Sequence, residues 1–195
     1  SDFEVISEVP ELCGSETFEL FGGQDIDCGD VVIGNDGEYL YIDIHSIDGF
    51  DAVEENVKIW LGTEDPSLLF SKRPVSGKFP YKFDATGLDF SAKFNLNELV
   101  DGYDCALETP IYAVIHVDAV VDNGDTELDE NGNEVLANTE TAYAGTSTDD
   151  IIKGSAWWYY VDYEPVCCTE EPPTPPSECT EETAWAGEQA FNVNS

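Results

Sequence analysis

Apolar and polar residues alternate with a period of two along most of this chain. In segment 39–44, Leu40, Ile42 and Ile44 fall on one side, with Tyr39, Tyr41 and Asp43 on the other. Phe90, Ala92, Phe94 and Leu96 alternate with Asp89, Ser91, Lys93 and Asn95. The longest run sets Ile111, Ala113, Ile115, Val117, Ala119 and Val121 on a common face, and Trp157, Tyr159, Val161 and Tyr163 repeat the pattern later. Side chains of a strand point alternately to opposite faces of its sheet, so each run predicts a half-buried strand. Shorter stretches of the same character lie at 3–7, 17–21, 30–33, 57–61 and 79–83. Between the runs stand turn-forming pairs such as Asp36-Gly37, Asp48-Gly49, Asp101-Gly102, Asn123-Gly124 and Asn131-Gly132. No segment carries a sustained helical period, although 95–100 suffices for a single turn. The prediction is an all-β fold, an antiparallel β-sandwich of about 8–10 strands.

The pattern changes after Pro165. Residues 167–179 read Cys-Cys-Thr-Glu-Glu-Pro-Pro-Thr-Pro-Pro-Ser-Glu-Cys, a stiff, extended composition bracketed by cysteines. Three units are expected: a β-sandwich domain over 1–165, a Cys- and Pro-rich linker over 166–179, and a C-terminal tail over 180–195 as a docking segment. The tail carries an echo of the domain. Glu140, Thr141, Ala142, Tyr143, Ala144 and Gly145 return in the same order, with Trp185 for the tyrosine, at 182–187.

Charge narrows the choice of partner. The chain has 42 acidic and 7 basic residues, a net charge of -35. Nucleic acid and anionic membrane surfaces are excluded, because joining two polyanions releases no counterions and adds repulsion. The chain lacks a run of apolar residues long enough to span a bilayer, so no membrane insertion is expected. Lys58, Lys72, Arg73, Lys78, Lys82 and Lys93 all fall between 58 and 93, and only Lys153 follows them. Carboxylates in the C-terminal half must therefore be balanced by cations from solution or by a partner's basic patch.

Six cysteines (Cys13, Cys28, Cys105, Cys167, Cys168 and Cys179) form an even set without a CxxC pair or an adjacent histidine. Three disulfides are expected, their connectivity left open, with the vicinal Cys167 and Cys168 bonded to two different segments. The chain contains no methionine. Together with the cysteines this reads as a chain that has lost a leader and been secreted, to an extracellular or cell-surface location.

The acidic loop 122–134 is the candidate metal site. Asp122, Asp125, Glu127, Asp129 and Asn131 alternate so as to offer the oxygens that calcium requires, and the competing reading is a long solvated hairpin turn. An EF-hand does not fit, since the sixth position from Asp125 is Glu130 rather than glycine. Smaller acidic groups stand at Asp25, Asp27 and Asp30, and at Asp48, Asp51, Glu54 and Glu55. His116 lies beside Asp118, but no Gly-x-Ser-x-Gly accompanies them. The histidine reads as structural, and no catalytic residue is assigned. In the quartet 157–160, one aromatic pair is expected in the core. The other, Trp158 and Tyr160, is expected outward against a neighbouring subunit or a sugar ring.

Several segments carry a resemblance. They are 21–24 (Phe-Gly-Gly-Gln), 27–31 (Asp-Cys-Gly-Asp-Val), 35–41 (Asn-Asp-Gly-Glu-Tyr-Leu-Tyr), 59–62 (Ile-Trp-Leu-Gly), 77–82 (Gly-Lys-Phe-Pro-Tyr-Lys), His116 with 119–121, 140–144 and 157–160. With these the chain resembles a widespread, largely uncharacterised group of secreted β-domains from marine and environmental bacteria and archaea. The resemblance spans roughly residues 20–163 and implies an exported β-sandwich with no established activity. The leading expectation is a non-enzymatic extracellular structural subunit that self-assembles head-to-tail into a surface filament or layer. Trp185, Phe191 and Val193 of the tail would dock on a neighbouring copy. The alternative is a calcium-dependent carbohydrate-binding or adhesin module, with glycans and cations as partners.

Overall fold

The computed structural model describes residues 2–153 and 156–169. Within them the strands are β1 Phe3–Ile6, β2 Gly14–Gly22, β3 Ile26–Asn35, β4 Tyr39–Ser46, β5 Val57–Gly62, β6 Tyr81–Phe83, β7 Asp89–Asn95, β8 Ile111–Leu128, β9 Glu134–Gly145 and β10 Val161–Tyr163. Two single-turn helices, α1 Pro66–Leu69 and α2 Leu96–Leu99, interrupt them. The strands pair antiparallel in one continuous sheet of order β1-β7-β4-β3-β2-β9-β8-β5-β6, with β10 bonded to β8 off that path. The all-β antiparallel expectation therefore holds, in a single curled sheet.

Curling brings the two ends of the order together. Phe3 of β1 meets Tyr81 of β6 edge-on at 5.1 Å between ring centroids and Phe83 at 5.7 Å, while Phe94 of β7 stands 4.8 Å from Tyr81. The enclosed core collects the alternating residues: Leu40, Ile42 and Ile44 of β4, Phe90, Ala92 and Phe94 of β7, and Ile111 to Ala119 at every second position of β8. All are buried, as the period-two pattern requires.

A bulge in the β2–β3 ladder shapes one wall. Leu20 faces Gly29 and Phe21 faces Asp27, so Cys28 is the extra residue. Gly29 has φ 136°, and a Cβ there would lie 1.9 Å from the carbonyl oxygen of His45, so only glycine fits. The bulge turns Cys28 into the core at 3 % exposure.

Two of the three expected disulfides lie among the described residues. Cys13 bonds Cys168 and Cys105 bonds Cys167, so the vicinal pair ties the chain to two different segments. Among the described residues Cys28 is a free thiol, which burial pushes up to a pKa of about 11. Cys179 lies outside the described residues.

Two elements depart from the alternation. β9 is a central strand, paired with β8 over 138–143 and with β2 over 142–145, although its sequence is rich in Ala, Glu and Thr. Conversely, the strand expected from 157 begins only at Val161. Residues 156–160 lie across the sheet, held by a bridge between Ile152 and Trp158.

Candidate functional site

Four strands of this sheet are apolar on both faces where they run side by side. Phe21 of β2, Trp60 of β5, Val114 of β8 and Tyr143 of β9 point away from the enclosed core into a second cluster. Two irregular segments, 63–80 and 146–160, cover that outer face and contribute Phe70, Phe79, Trp158 and Tyr159. Rings meet edge-on along the cover: Trp60 to Phe70 at 5.5 Å and Phe70 to Trp158 at 6.3 Å. The Tyr159 hydroxyl donates to the carbonyl of Gln24 at 2.7 Å, which fixes the second segment at its far end.

Local chemistry sets the shape of the first segment. Asp65 caps α1 by accepting the Ser67 N–H at 2.8 Å, and Pro66 opens the turn without losing a donor that the helix needs. The single turn then delivers Phe70 onto Trp60. Gly62 lets the Trp60 ring lie back along its own strand, since a Cβ at Gly62 would stand 2.6 Å from that ring.

Two adjoining cavities share residues 70–73 as a common wall: one of about 420 Å³ between the first segment and Trp60, and one of about 370 Å³ between the two segments. Aromatic surface comes from Trp60, Phe70 and Phe79 in the first and from Phe70 and Trp158 in the second. The exposed apolar side chains of Leu69 and Val75 stand at the first cavity. Lys72, Arg73 and Lys78 line it as well, and Lys153 joins Lys72 and Arg73 at the second. Four of the chain's seven cations thus converge on one groove.

Their electrostatic state is unusual for so acidic a chain. The other three cations are each matched: Lys58 to Asp118 at 3.4 Å, Lys82 to Glu55 at 3.3 Å and Lys93 to Glu4 at 3.1 Å. Among the described residues, none of Lys72, Arg73, Lys78 and Lys153 has a carboxylate oxygen within 4.0 Å. Their charge reaches inward too. Burial chiefly, with help from Lys58 and Arg73, lowers the pKa of His116 against the opposing pull of Asp118. The imidazole packs edge-on against Tyr143 at 5.2 Å, and its Nδ1 is buried without a partner. His116 Nε2 stands 3.9 Å from Asp118 Oδ1, beyond hydrogen-bond reach, so the pair is not a hydrogen-bonded dyad. A groove of this kind suits a ligand with carboxylates and rings, through charge-assisted hydrogen bonds and cation–π contacts.

The residues singled out from sequence lie elsewhere. Asp122, Asp125, Glu127, Asp129 and Asn131 are strung along the exposed arm and tip of the β8–β9 hairpin. Asp122 accepts the Gly124 N–H, Asn123 bonds Asp125 and Asn138, and Asp129 accepts the N–H groups of Asn131 and Asn133. The carboxylates of Asp122 and Asp129 shape turns, and among the described residues no three of His, Cys, Asp and Glu come together to hold a metal. Trp158 is 1 % exposed inside its own molecule, which overturns its assignment to an intermolecular surface. Tyr160 packs on Trp158 at 5.7 Å and on Tyr112 at 6.2 Å. Trp185, Phe191 and Val193 lie outside the described residues. The clue to the groove was present as the crowding of cations into 58–93, but it carried no assignment because nothing in the sequence pairs Lys153 with Lys72. Against protein-family models, curated proteins and solved structures alike, the chain finds no match.

Proposed function

We propose that this chain is a non-enzymatic structural subunit, exported and assembled head-to-tail into a surface filament or layer, with its C-terminal extension contacting a neighbouring copy. The observation that carries this reading is how the extension begins. Cys167 and Cys168 are bonded to Cys105 and Cys13, so whatever follows leaves from a doubly fixed point on the domain. An extension that only trails in solvent gains nothing from such anchoring, whereas one that positions a neighbour does. Two disulfides suit an oxidising environment outside the cytoplasm, as a surface subunit requires. Beyond the anchor, the proline-rich spacer of about ten residues reaches roughly 30 Å when extended. Head-to-tail contacts are heterologous and propagate as open polymers when the rotation between copies does not close. The curled sheet is the sandwich-like body of each subunit.

The test compares the full chain with a version lacking residues 176–195, by light scattering and electron microscopy. The full chain forms polymers and the shortened one stays monomeric. Unchanged polymers from the shortened chain would remove the tail from the mechanism, and a full chain that never associates would remove the subunit reading.

The calcium-dependent carbohydrate-binding or adhesin alternative has less support, because its carboxylates are spread along a hairpin and engaged in turns. It requires a stabilisation of about 2.7 kcal/mol at calcium a hundredfold above the dissociation constant, together with glycan retention. Neither is expected.

A further inference from the structure

We infer that the cationic, aromatic-walled groove is the receptor for residues 178–191 of a second copy of this chain. The inference rests on the subunit reading and names the surface that reading leaves open. Three observations converge on it. First, four cations crowd the groove and, among the described residues, none has a carboxylate beside it, in a chain with 42 acidic residues. Second, residues 178–191 offer the complement: Glu178, Glu181, Glu182 and Glu188 without a cation, interleaved with Trp185 and Phe191. The groove presents aromatic rings and exposed aliphatic side chains next to its charges, so an acidic segment without rings would satisfy only half of it. Third, the Glu-Thr-Ala-aromatic-Ala-Gly pattern already packs its aromatic residue into this cluster once. Tyr143 of the resident copy is buried there against His116 and Trp157. The tail copy places Trp185 at the same point of the pattern.

The contact is electrostatically selective. Elsewhere the acidic surfaces of two copies repel, whereas the groove with the tail brings opposite charges together alongside apolar anchors. An extended peptide with acidic residues on either side of Trp185 lays carboxylates on Lys72, Arg73 and Lys78 while the indole enters the space beside Phe70.

Charge exchange between two full-length variants tests this directly. One variant carries Lys72→Glu, Arg73→Glu and Lys78→Glu; the other carries Glu181→Lys, Glu182→Lys and Glu188→Lys. Each alone brings like charges together and stays monomeric at concentrations about tenfold above the wild-type assembly threshold. Mixed in equal amounts they co-assemble, because each groove then meets a tail of opposite charge on the other variant. Recovery on mixing cannot arise from a tail folded onto its own domain. Far-UV circular dichroism and thermal melts verify that both variants fold. Should the reversal unfold the chain, Lys72→Gln with Arg73→Gln replaces it and must still raise the threshold about threefold. A groove variant that polymerises like wild type overturns the groove as receptor while leaving the truncation experiment to judge the tail. Loss of assembly in both variants without recovery on mixing overturns the charge pairing. A wild-type chain that stays monomeric overturns both readings.

Discussion

The two faces of the sheet are held in different ways. Inside the curl, cohesion comes mainly from aliphatic side chains on regular strands, with Leu40, Ile42, Ile44, Ile59, Ile115 and Val117 fully buried. Outside it, cohesion comes mainly from rings, most of them delivered by segments that belong to no strand, and Trp60, Phe70, Phe79 and Trp158 among them border the groove. The inner face carries the fold. On the docking proposal, the outer face turns irregular chain into a recognition surface, in keeping with the tendency of binding residues to sit on loops held by a rigid scaffold.

Substitutions can separate these roles. The largest effect is expected for Phe94→Ala, at a fully buried position where the two ends of the sheet meet through Tyr81 and Phe3. A loss of about 3–5 kcal/mol in denaturant unfolding is expected, with the curl opened at its seam. A smaller loss, about 2–4 kcal/mol, is expected for Trp158→Ala, because the covering segment can settle into part of the space. Its near-ultraviolet circular dichroism should fall sharply while the far-ultraviolet β signal persists. If Trp158→Ala unfolds the sheet as thoroughly as Phe94→Ala, the two faces are one cooperative unit and the distinction fails.

The finest test is pH. His116 on the outer face has its pKa lowered by burial, so between that value and the unfolded value near 6.5 the unfolded chain binds the extra proton. Stability from this residue is complete above about pH 6.5 and declines as the pH falls through that window. His116→Phe, which also removes an unpartnered buried nitrogen, should be neutral or stabilising at pH 7.5 and should lose less than wild type on moving to pH 5.5. Equal losses in urea titrations of the two proteins would show that the imidazole is not a source of acid sensitivity.

The same contrast governs what could be read from the sequence. Segments 39–44, 57–61 and 90–96 alternate cleanly because one side of each strand faces the enclosed core. The helical turn α2 follows from Asn95, whose side chain accepts the Asn97 N–H. β9 was hidden, since small Ala142 and Ala144 face the core, and Ala137, Asn138, Glu134 and Glu140, all residue types that strands disfavour, break up its Val, Thr and Tyr. The quartet 157–160 misled for the opposite reason. Trp158 and Tyr159 are neighbours and both buried, which a half-buried strand does not allow but a segment draped over a sheet does. Likewise the second cavity of the groove depends on apposition of residues 67–73 with Ile152, Lys153 and Trp158, and such long-range apposition leaves no periodic trace. The acidic hairpin 122–134 was legible as a turn, while the fit of its carboxylates to a metal depended on convergence that the β8–β9 pairing does not provide.

The bond between Cys13 and Cys168 spans 155 residues of sequence. Should the chain be pulled between its N-terminal segment and its C-terminal extension, the load would pass through that sulfur bridge and bypass every strand after β1. Hydrogen bonds between those strands would carry almost none of it.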